Sequence, residues 1–228
     1  MIVVENVIYN GASVSFAAEG VGIHGLLFGN ESVKCAWMAL LSGQDEPESG
    51  DVLLCRKETR EPVITQKRYV GYVPRELALY EDMTVLELLD FIGEAKGVTP
   101  DTRAKQIKEA MALTGLAAMA SRLVGALSKQ NRRHVMFAQA LLGNPSVILC
   151  DEPFADADRE QRRDVEALLR LLGRYKPVVL GSLGTEILPL CTDVTVLVED
   201  GVRFSGAADT LSRDILADLD FDDKEGEQ

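Results

Sequence analysis

No stretch of this chain comes near the ~20 consecutive apolar residues that a bilayer-spanning helix needs, so no such helix is expected. Basic clusters are missing too. Against 36 Asp and Glu stand 24 Lys and Arg, a formal charge of −12, which argues against nucleic acid as a partner because phosphate backbones are held by clustered cations. Histidine occurs only at His24 and His134, too sparse and too separated in sequence for a zinc cluster. The cysteines, Cys35, Cys55, Cys150 and Cys191, include no C-x-x-C pair; reduced, mostly buried thiols are expected. After Met1 the chain runs straight into Ile2-Val3-Val4 without the basic and apolar segments of a secretory signal, and a cytoplasmic location is the expectation.

What is present suits a large core. A chain of 228 residues can bury one as a single large domain or as a core with a subdomain. Ala12 to Ala17 alternates apolar and polar residues, and Val21 to Phe28 is mostly apolar, so residues 2–28 read as strands. A helix is expected from about Lys34 to Ser42, with Trp37, Leu40 and Leu41 on one face and Gly43 as its stop. From Asp209 to Gln228, eight acids face only Arg213 and Lys224, and from about Asp218 this reads as a solvated tail.

The organising stretch is Val147-Ile148-Leu149-Cys150-Asp151-Glu152-Pro153, four apolar residues delivering two carboxylates. It reads as a buried strand whose carboxyl end lies where open α/β sheets hold ligands. Strand, glycine-bearing loop and helix around Gly29 and Lys34 supply the frame of a P-loop, G-x-x-x-x-G-K-[S/T]. Aligned on Lys34, Phe28 and Val33 stand at the glycine positions, Cys35 stands at the hydroxyl position, and Glu31 adds a negative charge inside the loop. Forcing Val33 into a left-handed conformation would cost roughly 1–2 kcal/mol. A thiol is a poor ligand for Mg²⁺, and the losses together reach about 3–5 kcal/mol, or about 10²–10³-fold in affinity. Lys34 then either contacts phosphate or pairs with a nearby acid, Glu31 or Asp151.

The order of these segments resembles the nucleotide-binding subunit of an ATP-binding cassette (ABC) transporter, over roughly residues 2–210. Arg68 to Glu76 resembles the strand into the Q-loop, with Arg75 where the family has its glutamine. Residues 80–89 resemble the helical subdomain in wording nearest to exporter-type subunits, with Thr84-x-x-Glu87 as a capping box. Leu127-Ser128-Lys129-Gln130 stands at the LSGGQ signature; Ser128 either caps a plain helix or retains phosphate contact. Residues 155–158 resemble the D-loop, and Leu183 falls where the switch histidine is expected. The resemblance implies an α/β P-loop NTPase core with a mixed sheet (residues 1–75 and 144–208), a helical subdomain (76–143) and the acidic tail (209–228). It implies ATP and Mg²⁺ as ligands, held weakly or not at all, with Lys34 and Ser128 toward nucleotide, Asp151 toward Mg²⁺, and Glu152 as catalytic base if the site is active. It also implies a membrane permease as partner, a homodimer or a heterodimer with an intact ABC ATPase subunit, and a place at the inner face of the membrane. The expected role is a degenerate, structural or regulatory cassette of an exporter. An active ATPase powering export and a soluble pseudo-ATPase scaffold are the alternatives. Tyr9 is a candidate for stacking on adenine.

Overall fold

The alternating start of the chain folds as β1 (Ile2–Tyr9) and β2 (Ala12–Ala18), an antiparallel pair in which every second β2 side chain is buried. The computed structural model describes residues 1–56, 59–76, 80–217 and Leu219, so the acidic end expected from Asp218 lies, Leu219 apart, outside the described residues. Next come β3 (Gly22–Phe28), α1 (Glu31–Ser42), β4 (Ser49–Arg56), β5 (Thr59–Pro62), the short α2 (Val63–Gln66) and β6 (Val70–Val73). Three helices follow: α3 (Val85–Ala95), α4 (Pro100–Leu113) and α5 (Lys129–Leu141). The chain then alternates through β7 (Val147–Asp151), α6 (Arg159–Gly173), β8 (Pro177–Ser182), β9 (Asp193–Val198), β10 (Gly201–Ala207) and α7 (Arg213–Ala217).

Two sheets result. One is antiparallel, in the order β2-β1-β4-β5; the other runs β10-β9-β3-β8-β7-β6, with parallel pairing from β9 through β6 and β10 antiparallel at its edge. A bulge at Asn6 (φ 49) shifts the β1–β4 register, and Gly50 fits against it. A Cβ there would meet the Asn6 carbonyl oxygen at 2.2 Å, which is why glycine is required.

Strand alternation sorts side chains into layers. Leu26, Phe28, Leu149 and Val179 face α1, whose Trp37, Met38, Leu40 and Leu41 fill the space up to Ile2, Val4, Val52 and Leu54 of the antiparallel sheet. Leu27, Ile148, Cys150 and Leu180 face the other way, onto Phe137 of α5 and Val165 and Leu169 of α6. A third core joins α3, α4 and α5 through Leu88, Leu89, Ile107, Met111, Val135 and Ala138. The capping box that opens α3 is formed on both sides, Glu87 N–H donating to Thr84 Oγ1 and Thr84 N–H to Glu87 Oε2. Thr84→Ala is expected to cost about 1 kcal/mol, measurable as a lower urea midpoint with an unchanged slope.

Several expectations are corrected. α1 begins at Glu31 rather than near Lys34, because the Asn30 side chain accepts the Val33 N–H and caps the helix there. Val33 is therefore helical and absent from the non-glycine residues with positive φ, so the expected strain does not arise. Tyr9 is a core residue, buried edge-on against Trp37 with ring centroids 5.9 Å apart, and its hydroxyl donates to Asp45, so it offers no face to a base. Of the cysteines, only Cys150 is buried; Cys35 is exposed, Cys55 and Cys191 are intermediate, and all are free thiols.

Candidate functional site

β3 and β7 both end at the same edge of the larger sheet, and α1 starts beneath them, so Lys34 meets the two acids that β7 delivers. Its side chain is wholly buried, and its ammonium lies 3.1 Å from Glu31 Oε1, 3.3 Å from Asp151 Oδ1 and 3.3 Å from Glu152 Oε1. An ammonium has three protons to donate, and three carboxylates surround this one. Burial works against the charge, but Glu152, Asp151 and Glu31 together raise the Lys34 pKa above 10.5. Burial likewise opposes ionisation of Glu31, yet Lys34, the Cys35 thiol and Arg75 hold its carboxyl below the ordinary 4.5.

The carboxylates are held unequally. Glu152 takes the left-handed conformation (φ 45), and its N–H donates to the Gly181 carbonyl at 2.9 Å. Its Oε1 also accepts the Leu183 N–H at 2.8 Å. Ser182 Oγ lies 3.1 Å from Glu152 Oε2 and 2.7 Å from Glu186 Oε1, its one proton serving one acid at a time. Arg133 supports the same turn from outside, donating to the carbonyls of Pro153 (2.8 Å), Ala155 (3.2 Å) and Glu152 (3.3 Å). A left-handed glutamate costs of order 1–3 kcal/mol and persists where its surroundings over-determine it, as these contacts do. Asp151 is poorer in partners: its Oδ1 is buried and, apart from the ionic contact to Lys34, has no hydrogen bond.

The backbone around the helix start is engaged as well. Gly29 N–H donates to the Leu197 carbonyl at 2.9 Å, Val33 N–H to Asn30 Oδ1 at 2.9 Å, and Lys34 N–H to the Asn30 carbonyl at 3.1 Å. Asn30 Nδ2 donates to Glu199 Oε1 at 3.0 Å, bringing a further carboxylate to the loop. Cys35 donates its S–H to Glu31 Oε1 at 3.4 Å, and Arg75 stands 3.9 Å from Glu31 Oε2.

Lys34, Asp151 and Glu152, singled out from sequence, are thus brought together. Ser128, the fourth, caps α5 by accepting the Asn131 N–H at 3.2 Å. The start of that helix is engaged at the surface by acids: Lys129 to Asp156 at 3.1 Å, Gln130 to Asp164 at 2.6 Å, Arg132 to Glu81 at 2.9 Å. Sequence reading missed the Asn30 cap, although an Asn just before a helical pattern is a start signal. It also missed Arg133 and Ser182, whose roles depend on a turn closed by tertiary packing.

A parallel sheet with a carboxylate pair at a strand end, facing a lysine at the start of the first α/β helix, defines a P-loop NTPase fold. The family model "ABC transporter" matches residues 13–155. The chain therefore belongs to the ABC transporter family, as an ATP-binding cassette. It is 27% identical over 192 residues to the probable multidrug ABC transporter ATP-binding protein YbhF of Escherichia coli (strain K12), covering 84% of this chain and 33% of that protein. It is 26% identical to ABC transporter A family member 1 of Dictyostelium discoideum (83% of this chain, 22% of that one). With ATP-binding cassette sub-family A member 7 of Rattus norvegicus the identity is 30% (82% and 9%). The chain thus spans a third or less of the length of these relatives. Among solved structures, cbiO1 from Clostridium perfringens, part of the transporter complex cbiONQ, superposes with TM-score 0.77 at 20% identity, covering 95% of this chain and 90% of that one. A dimeric bacterial ABC transporter cassette gives 0.75 at 20% identity (91% and 99%).

Proposed function

We propose that this chain serves an ABC transporter of the exporter type as a cassette whose own nucleotide site does not turn over ATP, and that its role there is structural or regulatory. The observation that carries this reading is the wholly buried Lys34 ammonium with three carboxylates within 3.3 Å. A phosphate oxygen about 4 Å from one such carboxylate would meet roughly 4 kcal/mol of repulsion at an effective dielectric constant of ~20. The lysine that should offset this is already neutralised. Mg²⁺ needs oxygen ligands at about 2.0–2.1 Å, and the unbonded Asp151 Oδ1 is its natural first ligand, but the Lys34 ammonium stands 3.3 Å from that oxygen. The residues as arranged do not fit Mg²⁺-ATP. In a dimer, the closed loop would impair one composite site and the altered signature, Lys129 and Gln130 for two glycines, the other.

The proposed organisation is a core of residues 1–75 and 144–208 and a helical subdomain of 76–143, with 209–228 outside both. Among the described residues no helix is long and apolar enough to cross a membrane. A cytoplasmic cassette docked on a membrane permease, paired with its own copy or an intact ATPase subunit, is the proposed assembly. Exposed apolar side chains on the helical part, among them Tyr80 and Phe91 in edge-on contact, favour this over a free-standing scaffold. Hydrolysis of Mg²⁺-ATP by the purified chain is the test. Phosphate release is expected to match that of Glu152→Gln at background; wild-type turnover abolished by that substitution would overturn the proposal.

A further inference from the structure

Glu31 distinguishes this site from a merely weakened one. It occupies the first position of α1, its side chain half exposed, and reaches back over the helix start to place Oε1 3.1 Å from the Lys34 ammonium. The same oxygen accepts the Cys35 S–H, and Oε2 faces Arg75. A carboxylate there meets the capped helix start, the lysine and a peripheral arginine, all of which favour negative charge. Asp151 and Glu152 reach the lysine from β7 and the turn that follows it, whereas Glu31 reaches it from the same helix as the lysine.

We infer that Glu31 is a built-in anion occupying the position on Lys34 that a bound phosphate would take, so that the site is closed by the protein's own carboxylate. This rests on the proposal that the native site turns over no ATP, and it names the contact that keeps phosphate out. The helix start stays closed while Glu31 is charged. Without that charge, Lys34 has a vacant donor direction and Arg75 has lost its acid.

The test is binding rather than turnover. Wild type, Glu31→Gln and the double variant Glu31→Gln/Lys34→Met are titrated calorimetrically with tripolyphosphate and with Mg²⁺-ATP, and each is melted thermally to check folding. Glu31 is a half-exposed helix-start residue, so Glu31→Gln is expected to stay folded, with Glu31→Ser as a second neutral variant. The expected result is a gain of about 10- to 100-fold in tripolyphosphate affinity for either neutral variant, the range a charge-assisted contact supplies. The gain should vanish in the double variant. Neutral variants that bind no better than wild type would overturn the inference and leave the proposed function standing. A gain that persists without Lys34 would overturn it too, since the anion would then lie elsewhere. Wild-type protein that itself binds Mg²⁺-ATP tightly would remove the inference and the support for the proposed function together.

Discussion

Lys34→Met is expected to lower stability by about 3–5 kcal/mol, the usual loss when one partner is taken from a buried ionic cluster. For a chain of 228 residues that is a fall of roughly 6–20 °C in melting temperature. Methionine keeps the length and flexibility of the side chain, so packing is little changed and the loss is electrostatic. Glu31 can turn its carboxylate to water. Glu152 keeps its bonds to the Leu183 N–H and Ser182. Asp151, 13% exposed and without another partner on Oδ1, bears the largest penalty. The pH dependence carries a sign that can be checked. The raised Lys34 pKa means its contribution is complete below 10.5 and is lost as pH rises through the higher folded value. The depressed Glu31 pKa means its contribution is present above 4.5 and is lost as pH falls through the lower folded value. In the variant Glu31 loses the cation that holds its carboxyl low, so the part of the deficit due to that pair should shrink as pH falls below 4.5. A lysine kept only to meet a bound phosphate would behave differently, and an unchanged melting temperature would refute the structural role assigned to Lys34.

Local signals in this chain were readable and long-range ones were not. The capping box Thr84/Glu87 forms as its spacing predicts, and it depends on residues only three apart. The apolar run before Asp151 became a central strand because nothing but burial suits four such residues between a turn and two acids. The P-loop frame implies an open loop over 28–33, whereas Asn30 supplies a cap that makes one more helical turn favourable and starts α1 at Glu31. Pairing of Lys34 with Glu31 or Asp151 was legible from charge alone. Its contact with Glu152 was not, because it needs β3 and β7 to end at one edge and a left-handed turn after Asp151. Tyr9 misled for a related reason: an aromatic near the chain start can stack on a base or fill a core, and only the position of Trp37 decides.

Phe91→Asp should separate assembly from folding. Phe91 lies on the outer face of α3, 46% exposed, its ring edge-on to Tyr80 at 5.6 Å, with Leu86 and Leu123 each 48% exposed beside the same helix start. The buried face of α3, Val85, Leu88 and Leu89, is untouched by the substitution, so stability should change by no more than about 0.5 kcal/mol. At an interface a central aromatic anchor is worth about 2–4 kcal/mol, which predicts roughly 30- to 1,000-fold weaker association with a membrane permease. Co-purification from detergent-solubilised membranes measures this directly. Tyr175→Asp is the matched control, because Tyr175 is 73% exposed in the turn between α6 and β8 and away from α3. Loss of the permease with Phe91→Asp but not Tyr175→Asp would place the docking contact on α3. Equal retention by both variants would place the permease contact elsewhere on the chain, whereas a wild-type chain that brings down no permease would favour a scaffold that works away from any transporter. That outcome would remove the assembly while leaving the closed nucleotide site intact, because the contacts around Lys34 come from α1 and from β7 with the turn after it, and none from α3.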